Sequence, residues 1–125
     1  MALEGVLEEI RTRLEERIKR QLSGLQGFVV RPVYNSMMPL HVEMSSAPEV
    51  FEFVFLKDGK VELSHGYRSN ADVRIESNTQ TFMSLFHSPS AELFNELERQ
   101  GKIRITSLTK KGNDAEGYIR RYLAG

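Results

Sequence analysis

The stretch NADVRIESNTQTFMSLFHSPSAELF, residues Asn70–Phe94, changes its hydrophobic period partway along. Ala71, Val73 and Ile75 alternate with polar residues, which is the two-residue period of a β-strand with one buried face. After Glu76 the apolar residues recur every three or four positions, as they do along one side of an α-helix. The stretch therefore predicts a strand followed directly by helices, in a protein that combines both kinds of element.

Polar residues, one proline and one glycine predict where these helices begin and end. Ser77–Gln80 has the form of a capping box, so the first helix should begin directly after a strand that ends at Glu76. Ser88 and Pro89 suit the N-cap and the first position of a second helix, and Gly101 suits its C-terminal stop. We expect the apolar faces of both helices to pack on one side of a sheet.

The same two-residue period occurs elsewhere in the chain. It predicts further strands around Leu40–Met44, Phe51–Phe55, Val61–Leu63 and Ile103–Ile105, with a hairpin turn at Asp58-Gly59 and loops at Asn35–Pro39, Ser45–Pro48 and Gly66–Asn70. Because alternate positions are polar, the sheet should have one wet face, and we place Asp72 and Glu76 on it. Phe28–Tyr34 is a possible edge strand, since Pro32 cannot donate a ladder hydrogen bond.

Two further helices lie at the ends of the chain. Apolar residues spaced by three or four positions predict a long helix from Leu3 to Leu25, ended by Gly24 and Gly27. A last helix should open at Asn113–Glu116. The predicted fold is α+β: a single domain, residues 1–125, with one twisted, mainly antiparallel sheet of five or six strands and helices packed on one face.

Composition excludes several classes of function. Seventeen basic and seventeen acidic residues cancel, so we expect no nucleic-acid partner. The absence of cysteine excludes disulfides and thiol chemistry. The apolar runs are too short to span a bilayer, and the N-terminus is too acidic for a signal peptide. A soluble, cytoplasmic protein with at most transient membrane contact is expected.

Candidate chemical groups are few. His41, His65 and His87 are far apart in the sequence, and we find no phosphate-binding loop or nucleophile motif. We therefore expect no metal, no cofactor and no enzymatic activity. Lys110 and Lys111 precede the predicted last helix, where they could receive an anionic head group or form an ordinary solvated turn.

The order of elements and several segments resemble the sterol carrier protein (type two)-like family of lipid-binding domains. The resemblance rests on FEFVFLKDGKVEL (Phe51–Leu63), NADVRIESNTQTFMSLF, Pro89 and GKIRI (Gly101–Ile105). It implies an apolar tunnel between sheet and helices, closed in part by the C-terminal helix, for a fatty acyl, phospholipid or isoprenoid-like ligand. Its walls would be Phe51, Phe53, Phe55, Phe82, Leu85, Phe86, Leu93, Phe94, Leu97, Ile103, Ile105, Tyr118, Ile119, Tyr122 and Leu123.

Two alternatives stay open at this stage. A ligand pocket of about 300 Å³ left empty would cost roughly 7 kcal/mol, so the space should be occupied, flexible or collapsed into an ordinary core. The same fold could also serve as an accessory or interaction domain, as a homodimer or beside an enzyme of lipid or quinone metabolism, without a ligand of its own. The short last helix is expected to act both as core and as lid.

Overall fold

The computed structural model describes residues 3–24, 27–66 and 70–125. The predicted loop Gly66–Asn70 and the predicted helix end at Leu25 lie partly outside the described residues. The elements run in the order α1 (Leu3–Ser23), α2 (Gly27–Ser36), β1 (Leu40–Ser46), β2 (Glu49–Phe55), a 3-10 turn (Lys57–Gly59), β3 (Val61–His65), β4 (Val73–Glu76), α3 (Thr79–His87), α4 (Ala91–Arg99), β5 (Arg104–Ser107) and α5 (Lys110–Ala124).

The five strands form one sheet in the order β3-β2-β1-β4-β5. Neighbouring strands are antiparallel except β1 and β4, which are parallel. This confirms the predicted α+β class and the mainly antiparallel sheet. Phe51 lies opposite Met44, which lies beside Ile75, and Ile75 lies opposite Ile105. Such rows form the apolar face of the sheet.

The core lies between that face and the helices. Phe51 and Phe82 are fully buried, and Leu7 of α1 and Leu85 of α3 pack in the same cluster. Burying a side chain of this size contributes about 2 kcal/mol. Because both the sheet phenylalanines and the helical leucines belong to one cluster, the sheet and its helices form one core.

The observed starts of the last three helices differ from the predicted starts by one to four residues. The helix N-caps are Asn78 for α3, Ser90 for α4 and Thr109 for α5, and each side chain accepts a hydrogen bond from a backbone N–H three residues later. Each capping segment contains several Ser, Thr or Asn residues that could cap, so sequence alone does not select one. Gly101, with φ of 74°, ends α4 as predicted.

The predicted edge strand Phe28–Tyr34 is wrong, because these residues belong to helix α2, with Pro32 inside it. Long-range contacts stabilise the helix. Asn35 donates from Nδ2 to Oδ1 of Asp58 at 3.2 Å and accepts from the Asp58 backbone N–H at 2.9 Å. Arg31 lies 3.6 Å from the same carboxylate. Gly27 is therefore the start of α2 rather than part of a helix stop.

The sequence predicted that the outer face of the sheet is exposed to water throughout. The structure corrects this, because part of that face is buried. Glu43 and Glu52 lie directly opposite each other on β1 and β2 and are 2% and 1% exposed. Arg74 donates from Nε to Glu43 at 2.6 Å, and His41 Nδ1 lies 3.1 Å from Glu52 Oε1. Each carboxylate thus has a basic partner on a neighbouring strand, and both are buried on the face that was expected to be wet.

Asp72 is also buried, which corrects its predicted place on the wet face. Its carboxylate accepts from the backbone N–H of His41 at 2.9 Å and from Oγ1 of Thr109 at 2.7 Å. These two bonds join β1, the approach to β4 and the N-cap of α5. Asp72 therefore positions the last helix on the sheet, whereas Glu76 is exposed as expected.

Candidate functional site

A cavity of about 160 Å³ lies between α1, α3 and α5. Apolar and aromatic residues line it together with two basic side chains. Its lining consists of Ile10 and Arg13 of α1, Leu85, Phe86 and His87 of α3, Pro89, and Tyr122 and Leu123 of α5. The volume is about half of the 300 Å³ that a lipid pocket was expected to need.

Four of the predicted wall residues meet at this cavity: Leu85, Phe86, Tyr122 and Leu123. Others are buried in the core: Phe51, Phe53, Phe82, Phe94, Leu97 and Ile103. Four more are half-buried against it: Phe55, Leu93, Ile105 and Ile119. Most of the predicted tunnel wall is thus close-packed in the described structure.

Tyr118 does not line the cavity. Its side chain is 66% exposed, and the guanidinium of Arg121 lies 4.9 Å from the centre of its ring. Helical spacing predicted that Tyr118 shares an apolar face with Ile119 and Tyr122. In the structure the Tyr118 side chain lies at the exposed edge of that face. The cavity wall on α5 is therefore confined to its last turn.

The two lysines proposed for a head group lie at the other end of α5. Lys110 and Lys111 form its first turn instead of a preceding loop, and Lys111 donates from Nζ to the carbonyl oxygen of Pro39 at 2.7 Å. Twelve residues separate Lys111 from Leu123, which is about 18 Å along a helix. The structure does not bring these lysines to the cavity.

Arg13 and His87 are cavity residues that sequence reasoning missed as binding groups. Arg13 follows Ile10 by three positions, so the two side chains are neighbours on the surface of α1. That spacing was the available signal. His87 ends α3, and only the fold shows that this helix end faces α1 and α5.

The electrostatics of the cavity centre on Tyr122. Burial raises the pKa of the Tyr122 hydroxyl, and the charges of Arg13 and Arg17 oppose that rise. Of these two arginines, Arg13 is itself a residue of the cavity wall. Arg13 is 70% exposed and lies 3.9 Å from Glu9, which is 66% exposed.

Helix α5 is held to its neighbours along its middle. Arg120 donates to Glu116 at 2.9 Å and to Glu98 of α4 at 2.6 Å. The hydroxyl of Ser107 on β5 donates to Glu116 at 2.6 Å. The hydrogen bond from Ser107 and the bond from Arg120 lower the pKa of Glu116. These contacts oppose movement of the whole helix as a lid.

A second, open depression of about 670 Å³ lies beside the edge strand β3. Its lining is mixed: His41, Glu52 and Glu62 border it together with Val54 and Leu63. Within residues 3–24, 27–66 and 70–125, no group of three or more His, Asp or Glu side chains is arranged to hold a metal ion. This depression is more open to solvent than the cavity between the helices.

Helix α2 carries an exposed apolar surface, the α2 patch, formed by Phe28, Val29, Val30 and Val33. Phe28 is 88% exposed and Val29 is 67% exposed. None of the helices in the described part of the chain has the combined length and apolar content needed to cross a membrane. The α2 patch is a surface feature separate from the cavity.

Comparison with solved structures identifies the fold. The ubiquinone synthesis protein UbiJ-SCP2 superposes with a TM-score of 0.57 at 10% identity, with 94% of each chain covered. Sterol Carrier Protein 2 Like 2 from Aedes aegypti gives 0.55 at 16% identity, with 96% of this chain and 98% of that chain covered. The solution structure of its palmitated form also gives 0.55 at 16% identity, covering 100% of this chain and 96% of that chain.

No protein-family model matches the sequence, and no curated protein matches it. The structural likeness nevertheless spans nearly the whole of each chain. It confirms the resemblance at the level of fold: the described elements have the sterol-carrier-protein arrangement of sheet and helices.

Proposed function

We propose that this chain is a non-catalytic lipid-binding domain that takes up one apolar chain between α1, α3 and α5. The observation that carries the proposal is the cavity bounded by Leu85, Phe86 and Leu123, which lies inside a fold shared with a palmitated protein. An acyl or isoprenoid chain would replace empty space with van der Waals contacts along these side chains.

The cavity must widen to accept such a chain. Its 160 Å³ is below the range of about 300–1,000 Å³ typical of ligand sites. Phe86 is half-buried, and it precedes the exposed segment His87–Pro89. Rotation of this ring and displacement of that segment would open the cavity without breaking the bond from Arg120 to Glu98 that holds α5 to α4.

Native mass spectrometry of the purified chain, before and after organic extraction, tests the proposal. A lipid-bound mass that is lost on extraction and restored by adding a fatty acid supports it. Failure to bind acyl chains of eight to eighteen carbons, with the fold retained, argues against it. Extraction followed by circular dichroism separates loss of ligand from loss of structure.

The α2 patch favours a second candidate function, that of an accessory domain docking onto a partner such as an enzyme of lipid or quinone metabolism. Apolar exposure of this kind, with Phe28 at 88%, often marks a protein-binding surface. UbiJ-SCP2, described as a ubiquinone synthesis protein, has the same fold. A double variant, Phe28→Ser/Val33→Ser, that still binds lipid but no longer binds the partner enzyme would assign the two functions to separate surfaces.

A further inference from the structure

We propose that the outer face of the sheet carries a second ligand site, which binds the primary ammonium group of a small amine between Glu52 and Ser64. The inference goes beyond the proposed lipid-binding function, because this site lies on the outer sheet face whereas the cavity lies between the helices. It rests on buried carboxylate oxygens without a donor and on the depression that borders one of these carboxylates.

Strand pairing sets four polar side chains in one row across the outer face of the sheet. From β4 to the edge strand β3, the row consists of Arg74, Glu43, Glu52 and Ser64, each beside the next. Two carboxylates are therefore neighbours, since side chains directly opposite each other on antiparallel strands have Cβ atoms about 4.5–5.5 Å apart. Like charges at this spacing repel each other, so the row favours a cation on each flank.

Arg74 supplies the cation on the β4 flank. Its Nε donates to Oε2 of Glu43 at 2.6 Å. On the other flank, toward β3, Glu52 lies opposite the uncharged hydroxyl group of Ser64. His41 Nδ1 is within hydrogen-bond distance of Oε1 of Glu52, at 3.1 Å. The row of alternating charges is thus complete beside Glu43 and incomplete between Glu52 and Ser64.

Each of the two carboxylates keeps one oxygen without a donor. Oε1 of Glu43 and Oε2 of Glu52 are both buried, and neither has a hydrogen-bond partner in the described part of the chain. Leaving a buried charged acceptor unpaired costs free energy. Buried side-chain oxygens nearly always have a donor, so two neighbouring exceptions suit a donor that comes from outside the chain.

The depression beside β3 gives a ligand access to this point. His41, Glu52 and Ser64 all line it, and its volume of about 670 Å³ is enough for a small organic molecule. Because Oε2 of Glu52 is buried, we expect the side chains around it to shift when the ligand enters. Acidic residues outnumber Lys and Arg in the lining, which attracts cations: Glu8, Glu15, Glu52 and Glu62 against Arg11 and Lys60.

The arrangement of acceptors favours a primary ammonium group. Its three N–H donors diverge from one nitrogen, so they can serve Oε2 of Glu52, Oε1 of Glu43 and the Ser64 hydroxyl together. A guanidinium group instead presents a planar fork that matches two oxygens of one carboxylate, whereas each carboxylate here offers one. Among the described residues, no set of three or more His, Asp or Glu side chains suits a metal ion.

Isothermal titration of the full chain with 1,4-diaminobutane tests the site, at pH 7.5 and physiological ionic strength, where both amino groups are protonated. The ligand control is the bis(trimethylammonium) analogue, which carries the same charges without N–H donors. The test variants are Glu52→Gln and Ser64→Lys, the second of which supplies an ammonium group from the chain itself. Glu76→Gln, an exposed carboxylate on the same sheet face outside the depression, is the matched control.

The parent protein should bind 1,4-diaminobutane with a Kd of about 1 mM or below and bind the methylated analogue at least about tenfold more weakly. Both test variants should bind the amine at least about tenfold more weakly than the parent. Without ligand, they should nevertheless unfold at a Tm about 2–4 °C higher, because each relieves the opposed charges. Circular dichroism followed with temperature measures the Tm and verifies that each variant folds, and Glu76→Gln should match the parent.

Two results would overturn the proposal. Equal affinities for the amine and its methylated analogue would show only general attraction of cations to the depression. Failure of the parent to bind the amine, or unchanged binding by Glu52→Gln and Ser64→Lys, would show that the two carboxylates need no external donor. The lipid-binding function is tested separately and stands in either case.

Discussion

Gly112 of α5 lies so close to the backbone of Asp72 that a Cβ atom at residue 112 would be 1.9 Å from the Asp72 carbonyl oxygen. The first turn of the last helix thus rests directly on the chain that enters β4. That same carbonyl accepts a hydrogen bond from the N–H of Leu108 at 2.8 Å. Only glycine permits this approach, which fixes the start of α5 on the sheet.

Gly112→Ala should destabilise the protein by about 3 kcal/mol, because backbone on both sides must move to relieve the clash. Urea unfolding of the purified variant measures the change. Gly117→Ala on the same helix is the control, since a Cβ there meets nothing within 4 Å. It should stabilise the protein by about 0.5–1 kcal/mol. Equal effects of the two changes would contradict the close contact at Gly112.

Asp72→Ala should cost about 3 kcal/mol, because it removes the acceptor of two hydrogen bonds, to the His41 N–H and to Thr109 Oγ1. The shift in the urea midpoint measures this cost. Asp114→Ala, an exposed carboxylate on α5, serves as control and should change stability by less than about 0.5 kcal/mol. A similar result at both positions would contradict the structural role of Asp72.

The contacts of Glu15 predict a dependence of stability on pH. Its Oε2 accepts the N–H of Val61 on the edge strand at 2.8 Å, and this bond, aided by Lys19 and Arg11, lowers the carboxyl pKa below its ordinary value of 4.5. The stabilisation is therefore complete above the ordinary pKa and lost as pH falls through the lowered pKa of the folded state.

Glu15→Gln should lower the free energy of unfolding by about 1 kcal/mol at pH 7 and have a smaller effect at pH 3. Urea titrations at both values measure the difference. The exposed neighbour Glu16 supplies the matched Glu16→Gln control. If the effect of Glu15→Gln grows as pH falls, the assignment of the bond to the ionised carboxylate is wrong.

Sequence predicted the strands well, because each has an apolar face that alternates with polar residues, as in Phe51–Phe55. It missed α2, since the β-branched residues and Pro32 argue locally against a helix that Asp58 stabilises from a distant turn. The burial of Glu43 and Glu52 depends on partners in neighbouring strands. No local pattern encodes such partners, so the sequence overestimated how much of the outer sheet face is exposed to water.

The cavity was only partly predictable for the same reason. Helical spacing identified Leu85 and Leu123 as inward-facing, but whether such residues close on each other or leave a space depends on how three helices meet. Arg13 reaches the cavity because α1 crosses near the end of α5. That relationship joins residues more than a hundred positions apart and has no signature within either segment.

Filling the cavity should weaken lipid binding. Phe86→Trp adds volume at a half-buried wall residue and should reduce affinity for dodecanoate at least about tenfold, with a stability change of about 1–3 kcal/mol at most. Titration calorimetry measures the affinity. Phe55→Trp is the control, because Phe55 is also half-buried but lies outside the cavity lining. Equal loss of binding in both variants would place the ligand elsewhere.

Truncation after Asn113 should abolish cooperative unfolding, because it removes the buried Ala115 and Leu123 together with the contacts of Arg120 to Glu98 and Glu116. Thermal unfolding followed by circular dichroism measures this. Deletion of Gly125 alone is the control and should leave the transition sharp. A truncated protein that still unfolds cooperatively, and exchanges fatty acid faster, would show that α5 is a lid and not a core element.

The central claim is that an apolar chain enters between α1, α3 and α5. Isotope-filtered nuclear Overhauser spectroscopy with carbon-13-labelled dodecanoate tests this most directly. The account predicts contacts from the acyl chain to the methyl groups of Leu85 and Leu123 and to the Tyr122 ring. Contacts confined to Phe28 and Val33 of the α2 patch, with none to the cavity residues, would contradict it.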